Sequence, residues 1–378
     1  MTAKKAGRHG VTHRNKVILI IAGAILAVIL CAVILNMRKA PKVTGLTGDP
    51  CYAQIDLSWD KTPGACGYVV YVSKDGEWEE AGRTEGRDSC EFAYADYEKD
   101  REYEFRVKAL LTDISSDETR EGEASDPVRV IYDSSLYASR IPVLTYHNIT
   151  DGKTNPDDGL LISAENFDRQ MKYLHDNGYK TLTMDEFRQW HEGRLEVPVK
   201  SCVITFDDGQ AGVYYFAYPI IKKYGQAATV FCVGKHIHEK TDEFDYDDPY
   251  SCYMGEDAIN EMKEDYPDFQ VESHTYAMHT RINGRKPLYV MSDEEISKDF
   301  EKNERFGFRY LAYPWGVYTK AMIEAAKEHG IVMAFEYDPS RYASRDDDDY
   351  TVSRVKVGAH DDFEKFVDTV NGNVEEYK

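Results

Sequence analysis

Two stretches of this chain carry side chains that could bind a metal ion and activate water. Asp207 and Asp208 directly follow an apolar β-like run, residues 202–206. Two adjacent carboxylates repel each other, so a positive charge must lie close to them. His274 and His279 follow a second β-like run and are separated by four residues. Two imidazoles and one carboxylate suit a catalytic divalent metal, zinc first, and the other carboxylate would remain free to act as a base.

The elements that must position these residues alternate between strands and helices. Strands that alternate with helices predict a parallel sheet, and eight such units predict a barrel with its chemistry at the carboxyl ends of the strands. Each candidate residue above comes just after a β-like run. The runs are 141–147, 180–183, 202–206, 228–233, 269–273, 309–313, 331–336 and 353–357.

Three motifs, in order, resemble those of the polysaccharide deacetylases, also known as NodB-homology domains or carbohydrate esterase family 4. Residues 205–209, Thr-Phe-Asp-Asp-Gly, are similar to the first motif, and residues 273–276, Ser-His-Thr-Tyr, with His279 are similar to the second. Residues 311–316, Leu-Ala-Tyr-Pro-Trp-Gly, are similar to the third. The resemblance covers roughly residues 141–378. It implies an α/β fold, a deformed (β/α) barrel, that hydrolyses N-acetyl groups on an acetylated polysaccharide.

The resemblance also implies a role for each motif residue. Amide hydrolysis needs an activated water, a stabilised oxyanion and a protonated leaving amine. By carry-over from the family, Asp207 is the catalytic base, and Asp208, His274 and His279 hold the metal. Zn²⁺ is the expected ion, with Co²⁺ or Ni²⁺ as alternatives.

The general acid has two candidates. His147 lies in residues 142–148, a segment similar to one that carries the acid histidine in poly-N-acetylglucosamine deacetylases. Those enzymes also have the longer gap between their two ligand histidines. His360 is the alternative because much of the family takes its acid from a late motif, although the residues around His360 fit that motif poorly.

The third motif departs from the family at Ala312, where an arginine usually orients the base. The sequence therefore leaves open what holds Asp207 in place. Aromatic side chains in this motif could line a sugar groove or could equally pack in the core. The predicted substrate contacts are Tyr313, Pro314 and Trp315.

The chain divides by composition into four parts. Residues 1–16 are a basic tail, and residues 17–37 form an apolar stretch long enough for a membrane anchor. Residues 40–135 carry short alternating runs and resemble a fibronectin type III β-sandwich. Residues 140–378 form the deacetylase-like domain. This order predicts a single-pass protein of the cell membrane whose catalytic domain is extracellular.

Charge and cysteine content limit the partners. A net charge of −21 argues against nucleic acid, whose phosphates would be repelled. Cys202 and Cys232 lie within β-like runs and are predicted to be buried thiols. One pair among Cys51, Cys66 and Cys90 could form a disulfide, but the sequence does not give the pairing.

The sequence favours an exopolysaccharide of the poly-β-1,6-N-acetylglucosamine type as the substrate, on the histidine gap and the segment around His147. Peptidoglycan is the near alternative, and a xylan O-acetyl esterase would use the same chemistry. A barrel that has lost catalysis and only binds glycan is the non-enzymatic alternative. The sequence does not identify a protein partner.

Overall fold

The structure, a computed structural model, describes residues 41–112, 119–153, 159–339 and 341–372. The predicted basic tail and the predicted membrane anchor, residues 17–37, lie outside these ranges. Among the residues that the structure describes, no helix is both long enough and apolar enough to cross a bilayer. The chain divides into two compact units, one built mainly from Gln54–Tyr132 and the other from Cys51–Ala53 and the residues from Asp133 onward.

The first unit contains two antiparallel β-sheets around one apolar core. Its strands are β1 (Thr47–Pro50), β2 (Ile55–Ser58), β3 (Ala65–Lys74), β4 (Glu77–Glu85), β5 (Glu91–Tyr94), β6 (Glu102–Thr112), β7 (Thr119–Glu121) and β8 (Val128–Ile131). One sheet has the order β1-β2-β5, and the other has the order β4-β3-β6-β7 with β8 paired to β6.

The side-chain pattern of strand β6 shows how the sequence produces this arrangement. Its side chains alternate between buried and partly exposed, which places Tyr103, Phe105 and Val107 in the core. Ile55 and Leu57 of β2 join the same core from the other sheet. The likeness of this unit to a fibronectin type III domain stays a prediction. Cys202 and Cys232 are buried as predicted, and Cys66 and Cys90 are not joined by a disulfide.

The second unit is built on one curled parallel sheet. The strands of this unit are β9 (Arg140–Ile141), β10 (Val143–Tyr146), β11 (Asn148–Thr150), β12 (Leu161–Ser163), β13 (Lys180–Thr181), β14 (Ser201–Phe206), β15 (Ala228–Cys232), β16 (Phe269–Ser273), β17 (Tyr310–Ala312), β18 (Met333–Phe335), β19 (Ala343–Ser344) and β20 (Val355–Lys356). Outside the curled sheet, β11 pairs with β12 and β9 pairs with β19. The sheet has the order β18-β17-β16-β15-β14-β10-β20, and β13 pairs with β14. Each of the eight predicted β-like runs supplies one of its strands, so the barrel-like fold is confirmed.

A parallel bridge between Phe335 and Val352 links β18 to the segment that leads into β20. The two ends of the strand order therefore meet, and the sheet curls on itself. Strand β14 is buried along its whole length, as expected for a parallel strand covered on both faces. Val203 enters one apolar cluster and its neighbour Ile204 enters another, so the two faces of the strand pack in different cores.

Helices pack around this sheet, and side-chain caps mark the start of several of them. The hydroxyl of Ser163 accepts a hydrogen bond from the backbone amide of Asn166. Ser292 and Glu295 form a capping box, in which each side chain accepts a hydrogen bond from the other residue's backbone amide. The α-helices of the described residues are α1 (Ala164–Asp176), α2 (Met184–His191), α3 (Tyr218–Tyr224), α4 (Glu256–Asp265), α5 (Asp293–Asn303), α6 (Lys320–Glu328) and α7 (Phe363–Val370).

Parallel pairing brings the carboxyl ends of the strands to one rim of the sheet. Asp207 and Asp208 follow β14, His274 follows β16, and His147 follows β10. Arg354 immediately precedes β20. The geometry of the fold thus collects side chains from distant parts of the sequence at a single rim.

Candidate metal centre and active site

Asp208, His274 and His279 converge on one point at the rim. Asp208 Oδ1 lies 3.5 Å from His274 Nε2 and 3.4 Å from His279 Nε2. The three candidate ligand atoms all lie within 4.8 Å of one another. Ligands that each bind a tetrahedral ion at about 2.0–2.2 Å lie about 3.4 Å from one another. The spacing therefore fits a single metal ion, and the structure contains none.

Neighbouring groups orient the donor atoms toward this point. His274 Nδ1 donates a hydrogen bond to the backbone carbonyl of Ala312 at 2.8 Å, which leaves Nε2 as the free electron-pair donor. The His279 ring stacks on Trp315 with the ring centroids 4.5 Å apart. Asp208 Oδ1 is buried and has no hydrogen-bond partner. A buried carboxylate oxygen without a donor is costly in a protein, and a cation at this point would satisfy it.

The surroundings of the cluster shift the pKa values of its side chains. Burial lowers the pKa of His274 to about 3 and also lowers the pKa of His279, so both imidazoles are neutral and able to act as ligands. Burial raises the pKa of Asp208 to about 6, with the nearby charge of Asp207 adding to the effect. A divalent cation would reverse the shift at Asp208 because it favours the ionised form.

The backbone at the rim adopts uncommon conformations. Asp208, Thr275 and Trp315 have positive φ angles of 74°, 64° and 58°. Left-handed backbone costs of order 1–3 kcal/mol in a non-glycine residue and is concentrated at functional sites. Gly209 follows at φ 74°, and a Cβ there would lie 2.7 Å from Cys232 Sγ, so glycine is required at this turn.

Asp207 is held by Arg354, a residue that the sequence analysis missed. Arg354 Nη1 donates to Asp207 Oδ1 at 2.7 Å and Nη2 donates to Oδ2 at 2.8 Å, a bidentate ion pair. Arg354 is only 1% exposed and also contacts Thr205 Oγ1. One signal was available in the sequence, because a cation within the β-like run 353–357 needs a buried partner.

This ion pair determines the protonation of Asp207. Burial by itself would raise the pKa of the Asp207 carboxyl, but the charge of Arg354 and its hydrogen bonds outweigh burial and hold that pKa well below its usual range. Asp207 is therefore ionised at neutral pH. Each of its oxygens accepts one hydrogen bond from Arg354 and keeps capacity for another.

The two candidate acids lie in different places. His147 lines a cavity of about 370 Å³ together with Asp207, Asp208 and both ligand histidines. His360 lines a neighbouring cavity that does not include these residues. Tyr337 and Lys356 line both cavities. The geometry therefore brings His147, and not His360, together with the metal cluster.

The predicted substrate contacts divide in the same way. Trp315 lines the cavity with the metal cluster. Tyr313 is fully buried and packs against Tyr318, with the ring centroids 5.1 Å apart, and Pro314 is also buried. The sequence-based assignment of Tyr313 and Pro314 to the sugar groove is thus not supported by their placement, because neither side chain lines this cavity.

Comparison with known proteins finds relatives of this chain. A family model described as polysaccharide deacetylase matches residues 194–334. The chain is 34% identical over 220 residues to the putative polysaccharide deacetylase YxkH of Bacillus subtilis, and the match covers 58% of this chain and 72% of that relative. It is 30% identical over 223 residues to the poly-β-1,6-N-acetyl-D-glucosamine N-deacetylase of Staphylococcus epidermidis, and the match covers 57% of this chain and 74% of that protein.

Solved structures share the fold. The structure of IcaB from Ammonifex degensii matches with a TM-score of 0.51 at 24% identity and covers 64% of this chain and all, 100%, of its own. The deacetylase PplD of Streptococcus pyogenes matches with a TM-score of 0.51 at 21% identity and covers 61% of this chain and 98% of its own. The protein is a deacetylase enzyme. It belongs to the polysaccharide deacetylase family.

Proposed function

We propose that this enzyme removes N-acetyl groups from an extracellular polysaccharide that contains N-acetylglucosamine, by metal-dependent hydrolysis. The observation that carries the proposal is one cavity that holds both a three-ligand cluster and an ionised carboxylate. The cluster is Asp208, His274 and His279, and the carboxylate is Asp207 in its pair with Arg354.

A divalent ion held by the cluster would supply Lewis acidity, which polarises an acetyl oxygen and lowers the pKa of water. The donor set of one carboxylate and two imidazoles favours Zn²⁺, with Co²⁺ and Ni²⁺ as alternatives. Side chains of the protein supply the remaining catalytic roles. Asp207 accepts the proton of the attacking water, and Arg354 fixes the direction of its carboxylate.

The leaving nitrogen needs a proton, and we assign its delivery to His147. This imidazole lies in the same cavity as Asp207 and Asp208. Water adds its oxygen to the acetyl carbon, and the carbon–nitrogen bond breaks. The nitrogen leaves as the amine of glucosamine, which takes up a proton, and the acyl group leaves as acetate.

The substrate is proposed to be a poly-β-1,6-N-acetylglucosamine-type exopolysaccharide. The name of the Staphylococcus epidermidis relative supports this choice at 30% identity. Peptidoglycan is the alternative because an anchored enzyme outside the membrane would meet it. The location itself is part of the proposal and depends on residues 17–37 acting as an anchor. An O-acetyl esterase on xylan and a non-catalytic glycan-binding protein are the remaining candidates.

Acetate release from purified glycans tests the proposal directly. Purified enzyme is assayed with poly-β-1,6-N-acetylglucosamine, peptidoglycan and acetylated xylan, before and after treatment with a chelator and after metal is restored. We expect acetate from the first polymer, loss of release with chelator, and recovery with Zn²⁺. D207N should keep its metal and lose turnover, whereas H360Q serves as a matched control that keeps activity. Acetate released only from xylan, or release that the chelator does not affect, would contradict the proposal.

A further inference from the structure

Three cations lie in or beside the lining of the cavity that holds the metal cluster. Arg281 lies over the ring of Trp315 with its Cζ 5.5 Å from the ring centroid, and Lys286 lies over the same ring with its Nζ at 5.2 Å. Trp315 lines the cavity, and Lys356 lines it as well. We call Arg281, Lys286 and Lys356 the cationic rim.

Arg281 and Lys286 are held in position by a tight hairpin. The backbone amides of Ile282 and Arg285 each donate to the other's carbonyl, at 2.9 and 3.0 Å. Between them, Asn283 and Gly284 both have positive φ, at 49° and 79°. This is the two-residue Asn-Gly turn that best fits the twist of a hairpin. Arg281 and Lys286 therefore lie at the two ends of an ordered turn, and both side chains lie over the ring of Trp315.

These cations differ from most others in this acidic chain. The sequence has 67 acidic and 46 basic residues, and cations on the helices of the second unit, such as Lys298 and Lys320, pair with carboxylates. Among the described residues, none of the ion pairs includes Arg281, Lys286 or Lys356. No ion pair among the described residues fixes these three charges, so they can act on a charged group that enters the cavity.

The reaction changes the charge of the polymer. Each turnover converts a neutral acetamide into an amine that is protonated near neutral pH. A sugar that has already reacted therefore carries a positive charge, and its neighbour must enter a site bordered by positive charge. Repulsion would be strongest when the charged sugar lies beside the acetylated one.

We propose that Arg281, Lys286 and Lys356 make the enzyme discriminate against a glucosamine next to the sugar being deacetylated, so that deacetylated sugars are spaced along the polymer. The inference depends on the proposed N-deacetylase function. Unit charges about 10 Å apart in water at about 10 mM salt each change a rate by a factor of about 1.7, and three such charges change it by about fivefold. At about 1 M salt the effect should vanish because the Debye length falls to about 3 Å.

Two trisaccharides test the role of the cationic rim. In both, the central sugar is the only acetylated one, so each molecule can release one acetate. In the first it is flanked by glucose on both sides, and in the second one of the two flanking sugars is glucosamine, at a pH where the amine is protonated. We expect kcat/KM to be about fivefold lower for the second substrate at low salt and the ratio to approach one at high salt. In R281Q/K286Q the penalty should fall below about twofold.

Each protein serves as its own reference, because the ratio of the two substrates cancels a loss of folded enzyme or of bound metal. K298Q/K320Q removes the same number of charges from exposed positions of α5 and α6 and should keep the full penalty. No penalty in the wild type, or an equal penalty in R281Q/K286Q, would overturn the inference. If neither trisaccharide nor the fully acetylated polymer releases acetate, the proposed function fails instead.

Discussion

Replacing Arg354 with glutamine is the sharpest test of how this active site is held together. The substitution removes both hydrogen bonds to Asp207, at 2.7 and 2.8 Å, and leaves a carboxylate that is only 5% exposed without a cation. Breaking a buried pair by removing one partner costs about 3–5 kcal/mol, because the remaining charge is buried and unpaired. We expect R354Q to lose about this much free energy of unfolding at pH 7.

The loss should depend on pH in a defined direction. In the wild type the folded pKa of Asp207 is lowered, so its contribution to stability is present above the unfolded pKa of about 3.9 and is lost as the pH falls through the folded pKa. Without Arg354, burial raises the pKa of Asp207 in the folded variant. The variant therefore loses stability as the pH rises from the unfolded pKa of Asp207 toward this raised folded pKa. The difference in unfolding free energy between the two proteins should therefore grow from about pH 4 to pH 7.

Activity should depend on the ionisation of the same carboxylate, Asp207. Because the base must be ionised, the acidic limb of the kcat/KM profile should move to higher pH in R354Q, and kcat should fall on the order of 10²-fold from loss of orientation. R354K is the matched control, since it keeps the charge but not the bidentate geometry and should recover most stability and less of kcat.

The measurements are urea unfolding between pH 4 and pH 7 and the pH profile of acetate release. A double-mutant cycle with D207N isolates the pair, because the double variant contains neither charge. A loss of less than about 1 kcal/mol in R354Q at pH 7, or an acidic limb that coincides with that of the wild type, would contradict the role assigned to Arg354.

Three further predictions concern the metal and the acid. D208A and H274A should copurify with little metal, whereas wild type should carry about one ion per chain, as read by elemental analysis; normal metal content in both variants would refute the ligand assignment. H147Q should lower kcat by about 10²–10⁴-fold with metal content unchanged, and the opposite result, with H360Q as the impaired variant, would move the acid to His360. W315A should weaken metal affinity about 10–100-fold through the loss of ring contact with the ligand histidine, and W315F should largely restore it; equal affinity in W315A would show that the stacking does not support the ligand.

The fold of the second unit could be predicted because its strands are short apolar runs that end abruptly in polar or turn residues. Strand β14 is uncharged and buried throughout, and Asp207 follows it directly. The apolar runs and the polar or turn residues that end them are local features, so they can be recognised in the sequence. The convergence of Asp208 with the two histidines then follows from parallel pairing, which aligns the carboxyl ends of the strands.

Other features depend on contacts that the sequence does not display. Arg354 lies 147 residues after Asp207, and the two meet because β20 pairs with β10, which in turn pairs with β14. Tyr313 continues the strand pattern through a hydrogen bond from its amide to Phe335, which turns its ring into the core. Trp315, two residues later, takes a left-handed conformation and reaches the cavity. The two aromatic residues of this motif thus lie in different surroundings, one in the core and one at the cavity.

The hydrogen bond between His274 and residue 312 uses a main-chain carbonyl, so it places no demand on the side chain at that position. Alanine can stand there while the guanidinium that steadies the base is supplied from the opposite end of the strand order. A sequence screen that requires arginine in the third motif would discard this chain as a degenerate member. Screens for active members should instead ask whether any arginine reaches the first aspartate in three dimensions.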